Sequence, residues 1–150
     1  MDGVDMKLFT IGFTGKNAEK FFSLLESSEA NKLIDIRINR TSQLAGFAKE
    51  QDLEFFLPKI VGMQYQVWDD LAPTKELLAS YRDKEILWEE FAQKYQDLIN
   101  LRGTLEKSSQ TDFENAVLLC SEHEPEKCHR TLLAELITQK FPLLGVTHLI

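Results

Sequence analysis

Short apolar runs alternate with amphipathic stretches along most of the chain. The run at residues 8–12 is too short for a helix of useful length and predicts a buried strand. From Asn17 onward, apolar side chains recur at intervals of three and four, which predicts a helix capped by Asn17 or Thr14. A second apolar run at residues 33–36 predicts a second strand. The chain therefore begins with a strand-helix-strand unit, whose two strands we expect to pair in parallel.

The same alternation continues towards the carboxyl terminus. It predicts a helix at 53–60 bent by Pro58, a strand at 62–67, a helix from Thr74 to Tyr81, a long helix from Lys84 ended by Gly103, a strand at 116–120, a helix that stops before Pro142 and an edge strand at 146–150. The run at 116–120 is continuously apolar, as expected of a central strand covered on both faces. We predict an α/β fold: a single domain over residues 1–150, with a mainly parallel sheet of about four to five strands flanked by helices on both faces.

Composition narrows the class of protein. A chain of 150 residues with 43% hydrophobic and 27% charged residues can bury a core without disulfides or a structural metal. No apolar run is long enough for a membrane span, and the first ten residues lack the order of a secretory signal, so we expect a cytoplasmic protein. The net charge of −7 argues against nucleic-acid binding by the whole surface, but it leaves room for a local basic pocket.

Polar and basic residues follow the predicted strands, at the edge where parallel sheets bind ligands. Asp35 lies inside an apolar run, and a buried carboxylate needs a partner such as Arg37, a loop amide or Arg130. One interpretation is a structural ion pair. The other is that Asp35 orients Arg37 towards an anion, which Arg130, Ser42 and Lys16 would also bind.

The segment from the central strand to the last helix holds both cysteines of the chain. Cys120 ends the strand, and Cys128 and His129 lie near the start of the helix, where thiol pKa values are lowered. Four interpretations remain open. In the first, Cys120 is a packed core residue, and in the second, Cys128 is a nucleophilic or redox thiolate aided by His129 or His123. In the third, these two cysteines and two histidines together bind a metal, although their spacing matches no standard zinc pattern. In the fourth, the two cysteines form a reversible disulfide.

Several motifs along the chain point to one family. They are Thr10-Ile11-Gly12, Asp35-Ile36-Arg37, Ser42, Gly46-Phe47-Ala48-Lys49, Tyr65, Leu71-Ala72-Pro73-Thr74, Leu118-Leu119-Cys120-Ser121-Glu122 and Cys128-His129-Arg130. In these motifs the chain resembles the DUF488 family of small proteins of unknown function. The resemblance implies a compact α/β domain with the motif residues clustered at one edge, and it implies no established reaction.

Three functional hypotheses follow. The first is an enzyme-like pocket for a small anionic ligand, phosphate- or nucleotide-like, with Cys128, His129 and Asp35 as candidate catalytic residues. The second is a non-catalytic regulatory or nucleic-acid-binding module that uses the same basic residues. The third is a metal or redox sensor built on Cys120 and Cys128. The sequence does not identify a cofactor, and we expect no membrane partner.

Overall fold

Five parallel strands form one sheet in the computed structural model, which describes residues 6–40, 46–121 and 128–150. The strands are β1 (Met6–Gly12), β2 (Lys32–Asp35), β3 (Gln64–Val67), β4 (Ala116–Cys120) and β5 (Leu144–Leu149). Their order across the sheet is β3-β2-β4-β1-β5, and every pair of neighbours is parallel. The predicted α/β class and the strand count are confirmed, and β5 is an edge strand as expected.

One predicted pairing is wrong. β1 and β2 run parallel, but they do not pair, because β4 lies between them and hydrogen-bonds to both. The helix that connects β1 to β2 therefore crosses over β4 and packs against its Val117 and Leu119 side chains. Neighbours in sequence are neighbours in a sheet only about two-thirds of the time, and the apolar pattern of two strands carries no information about a third strand inserted later.

Helices cover both faces of the sheet, as predicted. They are α1 (Ala18–Ser28), α2 (Glu50–Phe56), α3 (Lys75–Arg82), α4 (Trp88–Arg102) and α5 (His129–Lys140), with a π-helical turn at Leu57–Val61 directly after α2. Successive strand side chains point to opposite faces, so Leu118 packs towards α4 and α5, whereas Val117 and Leu119 pack towards α1 and α2. All five residues of β4 are buried, which confirms it as the central strand.

Local sequence explains where the helices begin and end. The Asn17 side chain accepts a hydrogen bond from the Lys20 amide, and Thr74 caps α3 in the same way through the Leu77 amide. Gly103 ends α4 with a φ of 68°, in the left-handed region that favours glycine. Pro58 falls in the π-helical turn, the predicted bend.

The carboxyl ends of the three inner strands lie level with one another. Gly12 is opposite Cys120, and Asp35 is opposite Leu119. The Thr14 amide donates to the Ser121 carbonyl over 3.0 Å, which extends the alignment of β1 and β4 beyond the strands. The residues that follow these strands are therefore brought to one edge. Among the residues described, no helix is both long and apolar enough to cross a membrane.

Candidate functional site

A cleft of about 810 Å³ opens at this edge of the sheet. Residues that follow β1, β2 and β4, together with the first residues of α5, form its floor, and α3 and the start of α4 form a wall. Parallel sheets bind ligands outside the carboxyl ends of their strands. The volume lies in the range of small-molecule sites, roughly 300 to 1,000 Å³.

Two thiols and an imidazole meet on the floor of the cleft, and all three are almost entirely buried. The Sγ atom of Cys120 lies 2.8 Å from Sγ of Cys128 and 3.6 Å from Nδ1 of His129. The other ring nitrogen, Nε2, lies 3.1 Å from the backbone carbonyl oxygen of Ile36. A carbonyl only accepts hydrogen bonds, so Nε2 carries a proton and Nδ1 faces the sulfur. The sequence predicted His129 as the partner of Cys128, but the hydrogen bond of Nδ1 goes to Cys120.

The electrostatics of this cluster centre on Cys120. The pKa of the Cys128 thiol is raised by its hydrogen bond to Cys120, by burial and by the charge of Cys120, while Arg130 opposes this shift. Burial lowers the pKa of His129, but the charge of Cys120 and the hydrogen bond to it act the other way and leave this pKa raised. Both shifts therefore depend on Cys120, whose sulfur contacts the other two groups.

Arg37 lies beside the sulfur cluster and is fixed by Asp35. Its Nε and Nη2 atoms donate to the two carboxylate oxygens over 2.9 and 2.7 Å, and its backbone amide donates to Oδ1. The hydroxyl of Tyr65 donates to Oδ2 over 2.5 Å, so Asp35 has no exposed face. The Arg37 guanidinium packs over the Phe13 ring and lines the cleft. Nη1 makes no hydrogen bond to an acceptor in the described part of the chain.

Arg130 does not line the cleft, whereas the sequence predicted that it would bind an anion together with Arg37. Its side chain is completely buried, and it donates from Nε to the Thr10 hydroxyl over 3.3 Å and from Nη1 to Cys128 Sγ over 3.5 Å. The hydroxyl of Thr10 also lies 2.6 Å from Nδ1 of His148 on β5. Successive helix residues point about 100° apart, so His129 can face the cleft while Arg130 ties α5 to β1.

The remaining predicted site residues lie apart from the cleft or outside the described residues. Lys16 is largely buried, and its Nζ atom donates to the Gly12 carbonyl over 2.8 Å. It is not among the residues that line the cleft. Ser42 and His123 fall outside the residues that the structure describes.

Sequence reasoning missed the wall that α3 contributes. Lys75, Leu78, Ala79 and Arg82 line the cleft along one face of this helix. Their spacing of three, four and seven residues places two cations on the same helical stripe as two apolar residues. That spacing could have been read from the sequence, but it does not say that the stripe faces the strand ends. Aromatic side chains of Tyr81 and Trp88 extend the same wall.

The sulfur cluster also raises the question of a metal. Ligand atoms of Cys120, Cys128 and His129 lie within 4.8 Å of one another, and the Nε2 contact of His129 to a carbonyl is typical of histidines that bind metals. Two thiolates on a tetrahedral zinc at ~2.3 Å lie about 3.8 Å apart, so the sulfurs would have to separate by roughly 1 Å. The Arg130 guanidinium against Cys128 adds a positive charge beside such an ion. The cluster as it stands fits two sulfurs joined by a hydrogen bond better than a zinc site.

Comparison with known proteins agrees with the sequence motifs. The family model described as "Domain of unknown function DUF488" matches residues 17–137, a segment that holds Asp35, Arg37, both cysteines and α3. The match leaves out β1 and β5. No curated protein and no solved structure matches the chain. Since the family model covers most of the sequence and includes the paired cysteines on the cleft floor, the chain belongs to the DUF488 family.

Proposed function

We propose that the cleft is the active site of an enzyme that uses Cys120 as a thiolate nucleophile on a small anionic substrate. The observation that carries the proposal is the position of one sulfur: Cys120 Sγ, at the end of the central strand, lies next to both the Nδ1 atom of His129 and the thiol of Cys128 on the cleft floor. A thiolate is the reactive form of cysteine, and both neighbours stabilise it by donating hydrogen bonds.

The charge of the cleft favours an anionic substrate. Arg37 presents its unpaired guanidinium edge from the floor, and Lys75 and Arg82 add two positive charges from α3 against the one carboxylate of Asp83 at its end. A guanidinium held by a carboxylate is preorganised, so little conformational entropy is lost when an anion binds to it. Asp35 is thus a positioning residue, since both of its oxygens are occupied by Arg37 and Tyr65.

The walls of the cleft favour a substrate that also carries a ring. Phe13, Tyr81 and Trp88 line the cleft together with the cations. Aromatic faces stack on planar rings, while arginines bind phosphate or carboxylate groups. A nucleotide-like molecule combines these two features.

The reaction class is nucleophilic transfer. The Cys120 thiolate attacks an electrophilic carbon or phosphorus of the substrate and forms a bond from sulfur, while the bond to the leaving group breaks and its electron pair departs with that group. His129 supplies the proton that the leaving group takes up. Water or a second nucleophile then displaces Cys120, and its proton returns to the imidazole.

Alkylation of the full-length protein by iodoacetamide at pH 7, with each cysteine quantified by mass spectrometry, tests the proposal. We expect Cys120 to react at least roughly tenfold faster than the thiol of free glutathione, because only the thiolate reacts. Adenosine monophosphate in the cleft should protect Cys120, and adenosine should protect it less because it lacks the phosphate. Cys128→Ser, whose hydroxyl can still donate to Cys120, should keep most of the reactivity, and His129→Gln should lose most of it.

Two results would overturn the proposal. One is a Cys120 that reacts no faster than glutathione in a protein that is folded by circular dichroism. The other is equal protection by adenosine and adenosine monophosphate, which would mean that the cations of the cleft do not recognise the phosphate.

A further inference from the structure

The second cysteine of the cleft has no part in the transfer reaction other than its hydrogen bond to Cys120. Cys128 is the residue directly before α5, and its backbone is extended, with φ −127° and ψ 140°. Its sulfur must approach Cys120 by less than about 1 Å to reach the length of a disulfide bond, ~2.05 Å. Both residues line the floor of the cleft, so a small oxidant that enters it comes next to both of them.

We propose that Cys120 and Cys128 form a dithiol–disulfide couple that small anionic disulfides oxidise and dithiols reduce, so that the nucleophile of the cleft is switched off and on. This inference rests on the proposed role of Cys120 as the thiolate of the cleft. It adds a second reaction to that thiolate, with a stated class of oxidant and reductant.

The chemistry balances in two exchanges. The Cys120 thiolate attacks one sulfur of the small disulfide, forms a mixed disulfide and releases the first small thiolate, which takes the proton of His129. Cys128 then attacks the Cys120 sulfur, and the second small thiolate leaves with the proton of Cys128. The protein loses two electrons to the small disulfide, which becomes two thiols. A dithiol reverses both exchanges and is itself oxidised to a disulfide.

The surroundings of Cys128 set the order of these exchanges. Two of the influences that keep this thiol protonated, the hydrogen bond to Cys120 and the charge of Cys120, disappear when Cys120 enters a mixed disulfide. Burial still opposes ionisation, but the Arg130 guanidinium at 3.5 Å remains and favours the thiolate. Cys128 therefore becomes a nucleophile only after Cys120 has reacted.

The experiment treats the full-length protein with dithiodiglycolate, a small disulfide with two carboxylates, and follows the released thiol and the protein mass. We expect the wild type to release two thiols per chain and to become lighter by two hydrogen atoms. Cys128→Ser should release one thiol and keep the mixed disulfide on Cys120, and Cys128→Ala should behave in the same way if the serine disturbs the fold. Cystamine, a cationic disulfide of similar size, should react at least roughly tenfold more slowly, because the cleft is cationic.

The outcomes separate this inference from the proposed function. A wild-type protein that accumulates the mixed disulfide on Cys120 overturns the couple and leaves the nucleophile intact. Equal rates with cystamine overturn the anionic class of oxidant. Zinc that co-purifies with the protein and blocks both thiols until a chelator removes it overturns the couple as well. Failure of Cys120 to react with either disulfide or with iodoacetamide overturns both proposals.

Discussion

The imidazole of His129 shows how one contact can reverse the effect of burial. Burial by itself lowers the pKa of a histidine, because the charged form loses its solvation. Here the adjacent Cys120 sulfur raises it above the ordinary value. A histidine whose pKa is raised on folding contributes stability that is complete below about pH 6.5, the unfolded pKa, and is lost as the pH rises through the folded value.

Replacement of Cys120 by serine should therefore change the sign of this shift. Without the thiolate, burial dominates, and we expect the pKa of His129 to fall from above about 6.5 to below it. A titration of the histidine ring protons by nuclear magnetic resonance measures this change. The ring resonances of His148, which lies on β5 and contacts the Thr10 hydroxyl, serve as the internal reference in both proteins. A His129 pKa that does not move in Cys120→Ser would contradict the thiolate assignment.

The ion pair of Asp35 with Arg37 differs from the surface pairs of the molecule in its burial. The side chains of this pair are 0% and 2% exposed, whereas Asp69, which pairs with Arg40, is 74% exposed. Asp35→Asn leaves a buried guanidinium without its countercharge, and we expect it to lower the free energy of unfolding by about 3 kcal/mol. Asp69→Asn should lower it by no more than about 1 kcal/mol. Urea unfolding of both variants measures the difference, and equal losses would contradict the role of burial.

At the scale of elements, α3 forms the wall of the cleft and α1 lies on the opposite face of the sheet. Both helices begin at a side-chain cap, Thr74 and Asn17 respectively. Removal of the Thr74 cap therefore destabilises the wall of the cleft without changing a residue of its floor, and removal of the equivalent Asn17 cap is the matched control.

We expect Thr74→Ala and Asn17→Ala each to lower the free energy of unfolding by about 1 kcal/mol, because each leaves a helix amide without an acceptor. Hydrogen exchange followed by mass spectrometry should show faster exchange at the start of α3 in the first variant and at the start of α1 in the second. Protection of Cys120 by adenosine monophosphate should weaken only in Thr74→Ala. Weaker protection in both variants would indicate a global effect.

Sequence periodicity identifies these elements well because each depends on local chemistry. The continuous apolar run of β4, the caps and Gly103 all specify structure within a few residues. The site depends on longer distances. Arg130 and His129 are adjacent in sequence, yet Arg130 is completely buried between α5 and β1, whereas His129 lines the cleft. Tyr65 approaches Asp35 only because β3 pairs with β2. Neither this hydrogen bond nor the burial of Arg130 leaves a local pattern in the sequence.

At the scale of the whole molecule, a net charge of −7 coexists with a cleft in which the cations Arg37, Lys75 and Arg82 outnumber the one lining carboxylate, Asp83. The overall charge repels anions at long range, but salt screens it within about 10 Å at ordinary ionic strength. The arginines and lysine that line the cleft act at contact distance, where this screening is weak. Local charge should therefore decide which ligand binds.

Two charge reversals distinguish the effect of charge in the cleft from the effect of the net charge of the protein. Arg82→Glu and Lys59→Glu change the net charge equally, but Arg82 lines the cleft, whereas Lys59 lies over the ring of Phe55 beside α2. We expect Arg82→Glu to weaken the protection of Cys120 by adenosine monophosphate roughly tenfold or more, and Lys59→Glu to change it less than about twofold. Equal weakening would show that net charge dominates.

The position of β4 between β1 and β2 also bears on how the chain folds during synthesis. A nascent chain that ends before residue 116 already contains β1, β2 and β3, but in the finished sheet β1 pairs only with β4 and β5. β1 must therefore wait for β4 and β5, and contacts between such distant segments form slowly. Until β4 and β5 are made, both edges of β1 stay unpaired, and unpaired strand edges promote aggregation.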